Sequence, residues 1–75
     1  MDKLRKLTAE YFALVARCDG KAETFAALHP LAKDLEKRVT DFQRKAKSQE
    51  VRYFAGKLRQ DVSDMELRFW KYTIS

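Results

Sequence analysis

Between Lys37 and Arg59 the chain carries eight cations, Lys37, Arg38, Arg44, Lys45, Lys47, Arg52, Lys57 and Arg59, against two carboxylates, Asp41 and Glu50. That window balances to +6 in a chain of net charge +5, so everything outside it sums to −1. Such clustering is the electrostatic footprint of a surface that neutralises phosphates. Arg38, Lys45, Arg52 and Arg59 recur every seven residues, with Tyr53 and Phe54 interleaved. Arg38, Arg44, Lys45, Lys47, Arg52, Lys57 and Arg59 could therefore hold a duplex backbone by charge and shape, without visible base specificity. An ordinary solvated face competes with that reading, because Asp34/Arg38 and Asp41/Lys45 stand at helical i,i+4 spacing in the favourable order.

A second constellation lies in "MELRFWKYTIS", residues 65–75. Met65, Phe69 and Tyr72 continue one helical stripe, whereas Leu67, Trp70 and Ile74 fall on another side, so the last turns are apolar nearly all round. One small core cannot readily bury both faces. Aromatic groups so placed anchor partners, which makes Leu67, Phe69, Trp70, Tyr72 and Ile74 the candidate docking residues for a partner protein or a second copy.

Catalysis finds little footing. His29 is the sole imidazole and Cys18 the sole thiol, and the sequence sets no nucleophile or carboxylate beside His29, which reads as a surface or loop histidine. One cysteine and one histidine cannot build the usual zinc site, and no intrachain disulfide can form. Cys18 falls among apolar positions and reads as a buried thiol. No glycine-rich phosphate loop occurs. The expectation is a non-enzymatic chain without metal, cofactor or small-molecule substrate.

These groups must be positioned by helices. The chain is 45% apolar and has only two glycines and one proline to interrupt it, a balance that favours helix over disorder or strand. No apolar run approaches the ~20 residues of a membrane span, and "MDKLRKLTAEYF" lacks the hydrophobic stretch of a secretory signal. A cytoplasmic, reducing compartment is the resulting expectation.

Leu4, Leu7, Tyr11, Leu14 and Cys18 step by three or four residues and define a first helix over about 3–18, stopped by Asp19-Gly20. The second segment, about 22–46, meets Pro30, which lacks an N–H and clashes with the preceding turn. The expectation is an interruption there: a short piece, "KAETFAALH", then a main helix from Pro30 with Leu31, Leu35, Val39, Phe42 and Ala46 as its apolar stripe.

Carried past residue 46 at ~100° per residue, that stripe lands on Gln49, Tyr53 and Gly56. The strong apolar series is instead Val51, Phe54, Leu58, Val62, Met65 and Phe69, about 130° away around a straight helix. A turn near "AKSQ" reconciles the two, with Ser48 as N-cap, Glu50 in the first turn and a third helix over about 49–72. Gly56, inside that helix, costs about 1 kcal/mol relative to alanine and marks a close approach by a neighbour.

The fold read from the sequence is all-α: residues 1–75 as one domain, a small antiparallel three-helix bundle interrupted at Pro30 and completed by self-association or a partner. The leading functional reading is a helical protein–protein interaction module, an adaptor, inhibitor or small chaperone docking through its aromatic C-terminal helix. The alternative is a dimeric nucleic-acid-binding protein using the basic 37–59 region.

Overall fold

The computed structural model describes residues 2–73. They form three helices, α1 (Asp2–Ala16), α2 (Ala22–Lys45) and α3 (Gln49–Thr73), with no strand among the described residues.

Each boundary has a local cause. Past Ala16, the amides of Arg17 and Cys18 donate to the carbonyls of Leu14 and Val15, a tightening of the last turn that satisfies carbonyls left open at a helix end. Gly20 then takes a left-handed φ of 80°, which an L side chain rarely adopts. Asp19 bridges into α2: one carboxylate oxygen accepts the Lys21 amide at 3.0 Å and the other the Thr24 hydroxyl at 3.1 Å. These two donors, the amide foremost, hold its carboxyl below the usual range.

The turn between α2 and α3 occupies residues 46–48, where the sequence pattern requires it. Ser48 Oγ accepts the Val51 amide at 3.4 Å, a long capping bond. Arg52 reaches back across the turn and its Nε donates to the Ala46 carbonyl at 2.7 Å, so a cation closes the C-terminal end of α2.

Pro30 does not interrupt α2, which runs unbroken from Ala22 to Lys45 with the proline inside it. The expected break is corrected on energetic grounds. A proline in a helix interior costs about 3 kcal/mol. Pro30 and Ala26, whose carbonyl loses its helical donor, are both exposed, so water can serve that carbonyl. Burying Leu28 completely returns about 1.5–3 kcal/mol, and it is the continuous helix that carries Leu28 and Ala32 onto one buried stripe with Leu35 and Val39.

The same continuity re-phases the core. Leu31, placed on the stripe when the helix was started at Pro30, is 46% exposed. On α3 the stripe runs through Ala55, Leu58, Val62, Met65 and Phe69, and Phe54 is 44% exposed. Ala32 and Ala55 are fully buried, and their small side chains leave room for α2 and α3 to pack closely. Leu4, Leu7 and Leu14 of α1 close the core, with Tyr11, Cys18, Phe25 and Phe42 partly buried at its margin.

Contacts between α2 and α3 join early residues of one to late residues of the other. Phe25 stacks on Phe69 with ring centroids 5.3 Å apart, His29 meets Glu66, and Gln43 meets Arg52. The chain therefore doubles back at residues 46–48. Gly56 has the close neighbour its position suggests: a Cβ there would lie 2.9 Å from Gln43 Nε2. Helix α1 packs less closely on this pair. Its Leu4 shares a groove with Phe54 and Leu58, and its Val15 another with Met65 and Phe69, so α1 runs beside α3 in the same direction. The whole measures 40 × 20 × 14 Å.

Candidate interaction surfaces

The C-terminal aromatic constellation separates into three environments. Phe69 is buried at 2% exposure against Phe25 and belongs to the core, so it is not presented to a partner. Tyr72 is half-exposed and lies against the ring of Phe25, at 4.6 Å, at the end of the α1–α3 groove. Leu67 (52% exposed) and Trp70 (46%) share a shallow surface with Asp64, Arg68 and Lys71. They stand three residues apart, hence side by side on one helix face. Ile74 lies outside the described residues.

The cations also separate. Arg38 is engaged with two carboxylates: its terminal nitrogens bind both oxygens of Glu10 at 2.9 Å and its Nε binds Asp34 at 2.8 Å. Glu10 foremost, and Asp34 with it, hold the guanidinium charged against the opposing effect of burial. Arg52 spends its Nε on the turn. Lys57 sits 4.9 Å from the centroid of the Tyr53 ring, and the tyrosine beside it raises its pKa. Arg44, Lys45, Lys47 and Arg59 are exposed.

The fold adds cations that spacing alone does not place there. Because α1 lies beside α3, Arg5 comes level with Phe54 and Lys57 of α3, and the exposed Lys3 and Lys6 belong to the same first turns of α1. Residues 2–8 sum to +2 and residues 37–59 to +6; Glu10 and Asp34, bound to Arg38, bring this end of the molecule to +6 and leave −1 for the remainder of a chain of +5. The protein is a charge-polarised rod.

Searches of family models, curated proteins and solved structures find no match to this chain. Its function rests on its own surfaces.

Sequence periodicity overlooks one of these, the groove between α1 and α3. Leu4, Tyr11, Phe12, Phe54 and Leu58 line a first section of about 690 Å³, bordered by Arg5, Lys57 and Asp61. Tyr11, Val15, Cys18, Phe25, Met65, Phe69 and Tyr72 line a second of about 440 Å³, bordered by Asp61, Asp64, Arg68 and Lys71. Tyr11 and Asp61 belong to both, so the sections form one trough. Phe12 stands on its rim at 61% exposure. The available signal was the pair Phe12/Val15, apolar at i,i+3 but off the Leu4–Cys18 stripe.

Two groups with chemistry of their own take structural positions. His29, expected on a loop or surface, lies within α2 with its Nε2 2.8 Å from Glu66 Oε1, both side chains mostly buried. Folding thus supplies the carboxylate that the sequence does not place beside it. The Cys18 thiol donates to the Leu14 carbonyl at 3.4 Å, and its pKa is raised, first by burial and then by Asp19. Tyr11 is likewise pushed up by burial and then by Asp61. Among the described residues no cluster of three or more His, Cys, Asp or Glu could hold a metal, and no helix is long and apolar enough to cross a membrane.

Proposed function

We propose that this chain is a non-enzymatic helical interaction module, an adaptor, inhibitor or small chaperone, that engages a partner protein through Leu67 and Trp70. The observation carrying this reading is a half-exposed tryptophan and leucine, side by side on a helix whose opposite face is committed to the core. Trp is the residue type most enriched at interface hot spots, and removing such an anchor costs 2 kcal/mol or more, about thirtyfold in affinity. Arg68 and Lys71 beside the patch favour a partner whose apolar contact is flanked by carboxylates. The reading sets the module in the cytoplasm, where the free thiol of Cys18 stays reduced. A benzophenone side chain placed at Leu67 in cells should crosslink a defined partner, and Trp70→Ala should remove the product while helical circular dichroism is unchanged. A yield no greater than that from the same group at Lys33, or one indifferent to Trp70→Ala, would defeat the reading.

A second reading is favoured by the charge polarity: the +6 end contacts a nucleic-acid duplex along its phosphates. With Arg38 engaged by Glu10 and Asp34, the six cations Arg44, Lys45, Lys47, Arg52, Lys57 and Arg59 would give a log–log salt dependence of slope about −5. Anisotropy titrations with mixed-sequence double-stranded RNA and DNA measure it. Arg59→Gln should reduce the slope by about 1; no binding at low salt would eliminate this reading.

A further inference from the structure

We propose that the α1–α3 groove is a homodimer interface in which two copies of this chain lie antiparallel, related by a twofold axis through the first groove section. Three features of the molecule select a second copy as the occupant.

The first is charge. Antiparallel apposition sets the +6 end of one copy along the −1 end of the other, whereas a parallel arrangement sets +6 on +6. At the groove itself Arg68 and Lys71 border the far end, while Arg5 and Lys57 border the first section and Asp61 and Asp64 follow them along α3. With the axis between Lys57 and Asp61, the charges of the first section and those that follow it meet across the dyad twice, once in each direction, as an isologous contact requires. The second feature is shape and chemistry. The same axis directs the exposed Phe12 of each copy to the Phe54 side of the other's groove, and both rings leave water. The third is size. The groove follows α3 from Phe54 to Tyr72, about 27 Å at 1.5 Å per residue in a molecule 40 Å long, so a second copy laid along it covers apolar surface over several helical turns. A chain of 75 residues gains stability from such added burial.

Leu67 and Trp70 themselves lie outside this groove, although Asp64, Arg68 and Lys71 border both surfaces. Trp70 comes nine residues after Asp61, about 180° around α3 at 100° per residue, so the dimer turns its two patches outward and becomes a bivalent module. Variants on one face therefore leave the other readable, and the two proposals fail separately.

Sedimentation equilibrium on the full chain, from about 5 μM to about 1 mM, provides the test, with dimerisation expected within that range. The expected species has twice the 8.8 kDa chain mass. Phe12→Glu and Phe54→Glu alter exposed residues and should retain helical circular dichroism while weakening the dimer about a hundredfold or more. Lys57→Asp and Asp61→Lys should each weaken it, and the double exchange should restore it, because each charge pair is then reversed across the dyad. A monomer at every concentration overturns the proposal. So does a dimer indifferent to both phenylalanine variants, or a double exchange that fails to recover affinity.

Discussion

Replacing Pro30 with alanine should stabilise the protein by about 2 kcal/mol. The position lies nine residues into α2, and its missing N–H leaves the Ala26 carbonyl without its helical donor. Alanine in a helix interior is favoured over proline by about 3 kcal/mol. Against this, the freed unfolded chain gains conformational entropy worth about 0.4–1 kcal/mol. Since Pro30 is exposed, no core contact is lost. For 75 residues the unfolding entropy is about 0.16 kcal/mol per kelvin, which converts the net gain into a rise in Tm of about 10–15 °C. Thermal melts followed by circular dichroism, with the protein concentration fixed because association also shifts Tm, measure it directly. Urea unfolding should show a higher midpoint with an unchanged slope. An unchanged or lower Tm would refute the reasoning, for it would mean that Pro30 is not interrupting an otherwise continuous hydrogen-bond ladder.

Gly56→Ala should stabilise by about 0.5 kcal/mol in urea titrations: helix propensity gains nearly 1 kcal/mol, and the obstructing atom is the mobile end of Gln43, whose bond to the Arg52 carbonyl at 3.4 Å is weak. A loss exceeding 1 kcal/mol would show that Gln43 cannot yield. Glu10→Gln should cost less than about 1 kcal/mol and less still in high salt, because the Arg38 pair, although bidentate, is nearly half exposed on both sides. Cys18 should alkylate more slowly than a free thiol at pH 8, with a rate inflection above the ordinary thiol pKa. Since folding raises that pKa, its stabilising contribution is complete below the unfolded value and is lost as pH rises through the folded one, which melts across the alkaline range would register.

The α1 stripe was legible in the sequence because its apolar residues are large, evenly spaced and more numerous than the off-stripe Phe12 and Val15: Leu4, Leu7 and Leu14 are buried, with Tyr11 and Cys18 at the core margin. The turn at residues 46–48 was legible for a different reason, as a conflict of phase that only a change of direction resolves. Alanine and proline misled. Ala32 and Ala55 carry little hydrophobic weight by themselves, yet fully buried sites go to them because helices approach closely only where side chains are small. Leu31 and Phe54 weigh more in any periodic reading and are left half in water. Pro30 carries a strong local penalty that the buried stripe through Leu28 and Ala32 outweighs, a cooperative gain that no window of a few residues contains.

Surfaces depend on a further level of information, the side on which α1 lies. Nothing in "MDKLRKLTAEYF" announces that Lys3, Arg5 and Lys6 join the basic turn between α2 and α3 rather than balance the acidic residues at the other end. That choice follows from chain direction: two reversals return α1 and α3 to the same heading, so the first turns of α1, with Arg5, come to rest beside Phe54 and Leu58. The resulting placement leaves an apolar trough and a one-ended charge on the same rod. The trough supplies affinity without orientation, since apolar burial is non-directional, and the charge supplies orientation with little affinity, since exposed ion pairs are weak. A partner that meets both must therefore be apolar along the groove and oppositely polarised along its length. A second copy of the chain, turned end for end, meets both conditions.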